Sequence, residues 1–222
     1  MKPRQTDERT TEPTDMRERL LAVATALFAE RGFHGTSLQA VAEAVGIRKP
    51  SLLYHFPSKG ALRQGVLEAM LAHWRADIAA VLARSRVRDQ LTDVLAAMIG
   101  YFRETPHRAR LLLREALDNR EGLEALFRQH LKPWTGLLIE HIRRGQAHGV
   151  VREDARPEAF ILQMIVLGVG YVAFADLGGA IVPGVMDATA DRDTDTNLAE
   201  LLRIAHVSLY RPRAERPAEE DR

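Results

Sequence analysis

The chain has 222 residues, 31 Lys and Arg against 30 Asp and Glu, a net charge of +1, 46% hydrophobic residues and no cysteine. That apolar share supports a buried core and excludes disordered and collagen-like classes, while the length allows one or two domains. Without cysteine there is no disulfide framework, thiolate zinc site, iron–sulfur cluster or thiol nucleophile, and a reducing, cytoplasmic setting fits.

Residues 1–14 carry charges of both signs, Pro and Thr, and no apolar core of a signal peptide, so a disordered leader is expected there. A helix follows from Asp15 to Arg31, with Leu20, Leu21, Ala24, Leu27 and Phe28 on one face, and Gly32 stops it. Thr36-Ser37-Leu38-Gln39 reads as a capping box in which Thr36 caps a second helix and Gln39 reaches back. That helix buries Leu38, Val41, Ala42 and Val45 and ends at Gly46. A third short helix opens at Arg48-Lys49-Pro50-Ser51 and closes at Tyr54-His55-Phe56-Pro57, because the proline disfavours a helical Phe56.

Ser58 is the expected N-cap of a long fourth helix reaching about Ser85. Helical periodicity returns at about 88–104, 106–118, 121–147, 156–176 and 194–210, with Pro133 expected to start a new helix or kink the long one. Residues 177–193 read as a loop and 211–222 as a disordered tail. No stretch alternates as a strand would, so the expected fold is all-α. The expected organisation is a leader at 1–14, a three-helix head at 15–60, a larger helical domain at 61–210 and a tail at 211–222. The most apolar run, Ala159 to Ala175, falls short of the roughly 20 residues a membrane span needs, so no membrane partner is expected.

Divided by segment, the charge becomes informative. Residues 31–63 hold Arg31, Arg48, Lys49, Lys59 and Arg63 against Glu43 alone, a net +4, while residues 1–30 carry −1 and residues 64–222 carry −2. Cations clustered on one small helical unit suit contact with a phosphate backbone. Helix, glycine turn and short helix is also the helix-turn-helix arrangement, whose second helix enters the major groove by its N-terminal end. Candidate DNA-binding residues are therefore Arg48, Lys49 and Ser51 at the start of that helix, with Tyr54 and His55 further along. Thr36 and Ser37 offer hydroxyls and free N–H groups at the start of the supporting helix, and Ser58 with Lys59 make a second such place.

At these residues the chain resembles the TetR family of transcriptional regulators. The resemblance rests on Phe28, Gly32-Phe33, Gly35-Thr36, the run Val41-Ala42-Glu43-Ala44-Val45-Gly46, Leu52, Tyr54-His55-Phe56 and Ser58-Lys59. Leu53 stands where the family often has an aromatic residue, and Gly60 where an acidic one is usual. The resemblance implies a three-helix DNA-binding domain followed by a helical ligand-binding and dimerisation domain, acting as a homodimer on a palindromic operator in double-stranded DNA. It also implies a small-molecule effector, and the simplest mechanism is a repressor released when that effector shifts the fourth helix and changes the spacing of the heads.

Apolar patterning supports the dimer independently. The helix near 157–176 is apolar all round, with Gly168, Gly170, Ala173 and Ala175 permitting close approach, and Leu198, Leu201, Leu202, Ala205 and Leu209 make a stripe on the helix near 194–210. Trp74, Met98, Phe102, Trp134, Met164 and Tyr171 are large residues able to line an effector cavity, and few charges fall on inward faces, so an apolar or amphipathic ligand is expected.

Enzymatic readings are weaker. Gly168-Val169-Gly170-Tyr171-Val172-Ala173 matches a dinucleotide-binding fingerprint but lacks the strand and crossover that such a site needs. The histidines outside the head show no metal-ligand spacing, and no nucleophile or phosphate-loop motif occurs, so no metal, cofactor or enzymatic activity is expected. The remaining alternative is a helix-turn-helix protein whose C-terminal domain docks a protein partner instead of a small ligand.

Overall fold

Helices make up nearly all the regular structure of the computed structural model, which describes residues 13–84, 90–182 and 196–211. Among the described residues there is no strand, only a lone bridge between Val151 and Tyr210, so the fold is all-α. The expected leader up to residue 12, the tail from residue 212 and residues 183–195 of the expected loop lie outside the described residues. The chain divides into two compact units, Met1–Met70 and Leu71–Arg222.

In the first unit α1 spans Pro13–Gly35, with Gly32 breaking its helical geometry at φ 73°. Only glycine adopts that conformation without strain, so the predicted stop falls where expected and one further turn follows it. Leu20, Ala24 and Phe28 bury the inner face of α1, against which α2, Leu38–Val45, packs through Val41 and Ala42. The helix α3, Lys49–His55, packs in turn on α2 and buries Leu52. Ser58 caps α4, Lys59–Arg84, by accepting from the Ala61 N–H at 3.0 Å. At Gly65 the α4 backbone runs so close to the Phe56 ring that an added Cβ would lie 2.8 Å from it.

In the second unit Pro133 starts a new helix. It occupies the second position of α8, Lys132–Ala147, where its missing N–H costs no helical bond, and α7 ends before it as Arg120–His130. The helices α5, Gln90–Glu104, and α6, His107–Asp118, pack together with α8 on a central helix, α9, Pro157–Ala173, which touches all three. Gly168 lets α9 approach α5, since a Cβ there would collide with Met98 Cε and lie 3.3 Å from Ile99 Cγ1. After α9 the chain bends by 62° into a single 3-10 turn, Ala175–Leu177, and a short helix α10, Gly178–Ile181. The loop expected from residue 177 is therefore helical at its start, where an Arg110–Asp176 ion pair ties it to α6. The last helix, α11, Thr196–Leu209, packs on α5.

Among the described residues two apolar faces are exposed. On α9 and its continuation they comprise Leu162, Val166, Leu167, Phe174, Leu177 and Ile181, and on α11 Ile204 and Val207. The α11 stripe expected to face a partner does something else: Ala205 and Leu209 are buried and Leu198, Leu201 and Leu202 half-buried, so that stripe serves the chain's own core. The free apolar face is the adjacent one. No single helix among the described residues is long and apolar enough to cross a membrane.

Candidate nucleic-acid interface and ligand cavity

The turn between α2 and α3 is set by Gly46, at φ 82° and ψ 29°. Its N–H bonds to Glu43 O at 3.0 Å, and the Ile47 N–H bonds back to Ala42 O at 2.9 Å, which satisfies the last carbonyls of α2 and turns the chain sharply into α3. Arg48 then takes an extended conformation as the N-cap of α3 and offers no side-chain cap, its own carbonyl accepting from the Ser51 N–H at 3.0 Å. Arg48, Lys49 and Ser51 are all exposed, and neither cation forms a salt bridge among the described residues. One turn further on, Tyr54 is 87% exposed and meets the half-buried His55 edge-on, with ring centroids 5.4 Å apart. An aromatic residue that bare on a seven-residue helix does nothing for the core, whereas Leu52 on the opposite face is fully buried.

The capping reading is corrected at Thr36. Its side chain is 2% exposed and its hydroxyl donates inward, 2.9 Å from Gly32 O and 3.1 Å from Leu27 O. The Gly32 carbonyl lies at the break in α1, so Thr36 closes the end of α1 and is turned away from any phosphate. Ser37 caps α2 instead, accepting from the Ala40 N–H at 3.0 Å, and Gln39 bonds forward to Glu43 at 2.7 Å instead of reaching back. Ser37 stays exposed at the head of α2. Lys59 lies half-buried with its Nζ 4.5 Å from the Phe33 ring centroid and 3.4 Å from His34 O, and the Arg63 guanidinium lies 4.4 Å from the same ring.

The second unit holds a partly open cavity of about 40 Å³. Its walls follow helical spacing. From α5 come Leu91, Val94, Leu95 and Met98, from the start of α8 come Leu131, Trp134, Thr135 and Leu138, and from α9 come Phe160, Ile161, Met164 and Ile165. Trp74 of α4 completes the wall. Of the six candidates, Trp74, Met98, Trp134 and Met164 line it. Phe102 and Tyr171 do not. Phe102 sits one turn beyond Met98, 1% exposed, with its ring edge-on to Trp74 at 5.8 Å, and belongs to the core. Tyr171 lies two turns past Met164, beyond the reach of the cavity along α9. The wall residues from α5 and from the start of α8 repeat at i, i+3, i+4 and i+7, a signal that marks an inward face without telling cavity from solid core.

A basic, exposed recognition helix on a three-helix head, joined to a larger helical body, defines a helix-turn-helix DNA-binding transcriptional regulator. Residues 20–66 match the family model for bacterial regulatory proteins of the tetR family, and residues 88–200, half of the chain, match that for the Tetracyclin repressor-like C-terminal domain. The chain belongs to the TetR family of transcriptional regulators. It is 35% identical over 98 residues to the HTH-type transcriptional regulator RutR of Escherichia coli strain K12, a match covering 44% of this chain and 46% of the relative, so the chain spans about half the length of that protein. It is 25% identical over 177 residues to the HTH-type transcriptional regulator UidR of the same strain, covering 77% of this chain and 86% of the relative. Among solved structures, the ketosteroid transcriptional regulator KstR2 of Mycobacterium tuberculosis has a TM-score of 0.69 at 19% identity, covering 94% and 98% of the two chains. A regulator from Saccharomonospora viridis in complex with choline has a TM-score of 0.68 at 20% identity, covering 90% and 100%. The family and these relatives are regulators, not enzymes.

Proposed function

We propose that this regulator is a repressor that binds a palindromic operator as a homodimer and leaves it when a small apolar or amphipathic effector enters the cavity of the Leu71–Arg222 unit. The observation that carries the DNA assignment is the first turn of α3, where Arg48, Lys49 and Ser51 stand exposed beside a bare Tyr54. In the major groove Arg48 and Lys49 reach guanine edges or phosphates, and Tyr54, His55 and Ser51 supply further donors. Ser37 and Lys59 contact the flanking phosphates, Ser37 from the head of α2 and Lys59 from the head of α4.

The exposed apolar residues of α9 and those of α11, Ile204 and Val207, are of the kind that a second copy covers in an isologous four-helix contact. Trp74, Met98, Trp134 and Met164 hold the effector. Release follows from α4, a single helix that starts with Lys59 and carries Trp74 in the cavity wall. A ligand that binds one position of that helix better than another shifts the population of heads spaced for DNA by its differential affinity alone.

Selection of bound duplexes from a random pool, followed by cleavage protection, tests this reading. Inverted half-sites about one helical turn apart, centre to centre, are expected. A single asymmetric half-site, bound by a protein that light scattering finds monomeric, contradicts it.

A further inference from the structure

The helix α3 is short enough for each of its faces to be assigned residue by residue. Leu52 is fully buried and marks the inward side. At about 100° per residue, Pro50 and Tyr54 each lie roughly 160° from Leu52, one turn apart on the ridge that points most directly away from the core of the head. Both are exposed. Lys49 and the half-buried Leu53 flank this ridge on one side, Ser51 and the half-buried His55 on the other.

In a helix-turn-helix protein the N-terminal residues of the reading helix meet the base edges, and the outward ridge lies nearest the groove floor. Pro50 is the ridge residue at that end. As the second residue of α3 it forfeits no helical hydrogen bond, since the Ser51 and Leu52 N–H groups are the ones that bond to Arg48 O, at 3.0 and 3.3 Å. A proline suits any helix start for that reason, whether or not the helix meets DNA. On the outward ridge, however, its ring presents only methylene carbons, with no donor, acceptor or charge. Such a ring cannot hold a phosphate or pair with a polar base edge. The apolar group it can meet in the major groove is the C5-methyl that thymine carries and cytosine lacks.

We infer that Pro50 is a further specificity-determining residue, which reads the C5-methyl of one thymine in each operator half-site by apolar contact alone. This rests on the reading of α3 as the helix that enters the groove. The cation and hydroxyl on either side of Pro50, Lys49 and Ser51, act on phosphates or hydrogen-bonding edges, so the methyl group is the signal left to the ridge between them. A contact that senses only a methyl group does not distinguish thymine from 5-methylcytosine, because both carry it at the same place in the groove.

The probe is an operator duplex selected from a random pool, in which each thymine of the half-site is replaced in turn by deoxyuridine, symmetrically in both halves. Burying one methyl group is worth about three- to fourfold in affinity per half-site, so at one position the full chain is expected to bind about tenfold more weakly. With C·G in place of T·A at that position, methylating the cytosine at C5 is expected to strengthen binding by about the same tenfold. In Pro50→Gly both effects are expected to fall below about twofold, and in Pro50→Ala, which keeps one carbon of the ring, part of each is expected to remain. A natural chain that loses less than about twofold at every uracil, a cytosine methyl that adds nothing, or a Pro50→Gly penalty as large as that of the natural chain overturns the inference. The first two outcomes need no variant. Failure of α3 as the reading helix shows itself separately, because Arg48→Ala with Lys49→Ala would then leave the affinity for these same duplexes unchanged.

Discussion

Lys59 and Phe33 form a cation–π pair, with the ammonium 4.5 Å from the ring centroid, and Arg63 shares the ring at 4.4 Å. Two cations one helical turn apart on α4 are thereby held against the last turn of α1. Each such contact is worth roughly 0.5–1 kcal/mol at a partly exposed site. Phe33→Leu keeps an apolar side chain and removes the ring, so DNA binding is expected to weaken by about two- to fivefold. The salt dependence of binding should stay unchanged, because both charges remain. A titration at two or three ionic strengths distinguishes this from the removal of a cation.

The neighbouring residues Thr36 and Ser37 have divided roles, and their variants should divide likewise. Thr36→Val removes a buried hydroxyl and leaves the Gly32 and Leu27 carbonyls without that partner, costing about 1–3 kcal/mol of stability. Ser37→Ala removes the cap of α2, a cost of about 1 kcal/mol. Denaturant unfolding reads both effects. Only Ser37→Ala is expected to weaken operator binding beyond what its lower stability explains.

Much of the head was legible in the sequence, because glycines at 32 and 46, the capping hydroxyls and Pro57 mark element ends by local rules. Those rules did not say which of two adjacent hydroxyl residues caps α2. That choice depends on the Gly32 carbonyl at the break in α1, which is a tertiary fact. The cavity was half legible. Large residues identified Trp74, Met98, Trp134 and Met164, yet Phe102 has the same size and periodicity and is solid core. Leu91, Val94 and Leu138 were missed because a wall and a core obey the same helical spacing. The α11 stripe misled for a related reason, since apolar periodicity shows that a face is buried but not whether the chain itself or a second copy buries it.

Gly168 connects the packing of α9 to the cavity. In Gly168→Ala the new Cβ would collide with Met98 Cε, the flexible end of a residue that lines the cavity. The fold is expected to survive at a cost of roughly 1–3 kcal/mol. The cavity is expected to shrink as Met98 is pushed into it, lowering the affinity for apolar ligands while DNA binding is retained. Thermal unfolding, calorimetry and operator binding on one preparation check the three parts.

Val166, 60% exposed, lies in the middle of the uncovered face of α9. Val166→Asp would place an unpaired carboxylate at a two-fold contact, and the symmetry doubles the penalty. Light scattering at micromolar concentration is expected to read twice the chain mass for the natural protein and the single-chain mass for the variant. Unchanged helix content by circular dichroism would show that the variant is folded.

The central claim, that the first turn of α3 carries the DNA contact, is tested most directly by the salt dependence of binding to a selected operator duplex. The natural chain is compared with a variant carrying Arg48→Ala and Lys49→Ala. Removing one phosphate neutralisation makes the slope of log K against log salt shallower by about 0.9, so a dimer deprived of at least one per subunit should show a slope shallower by about two, with weaker binding at low salt. Equal affinity and equal slope for the two proteins would contradict the assignment of α3 as the reading helix.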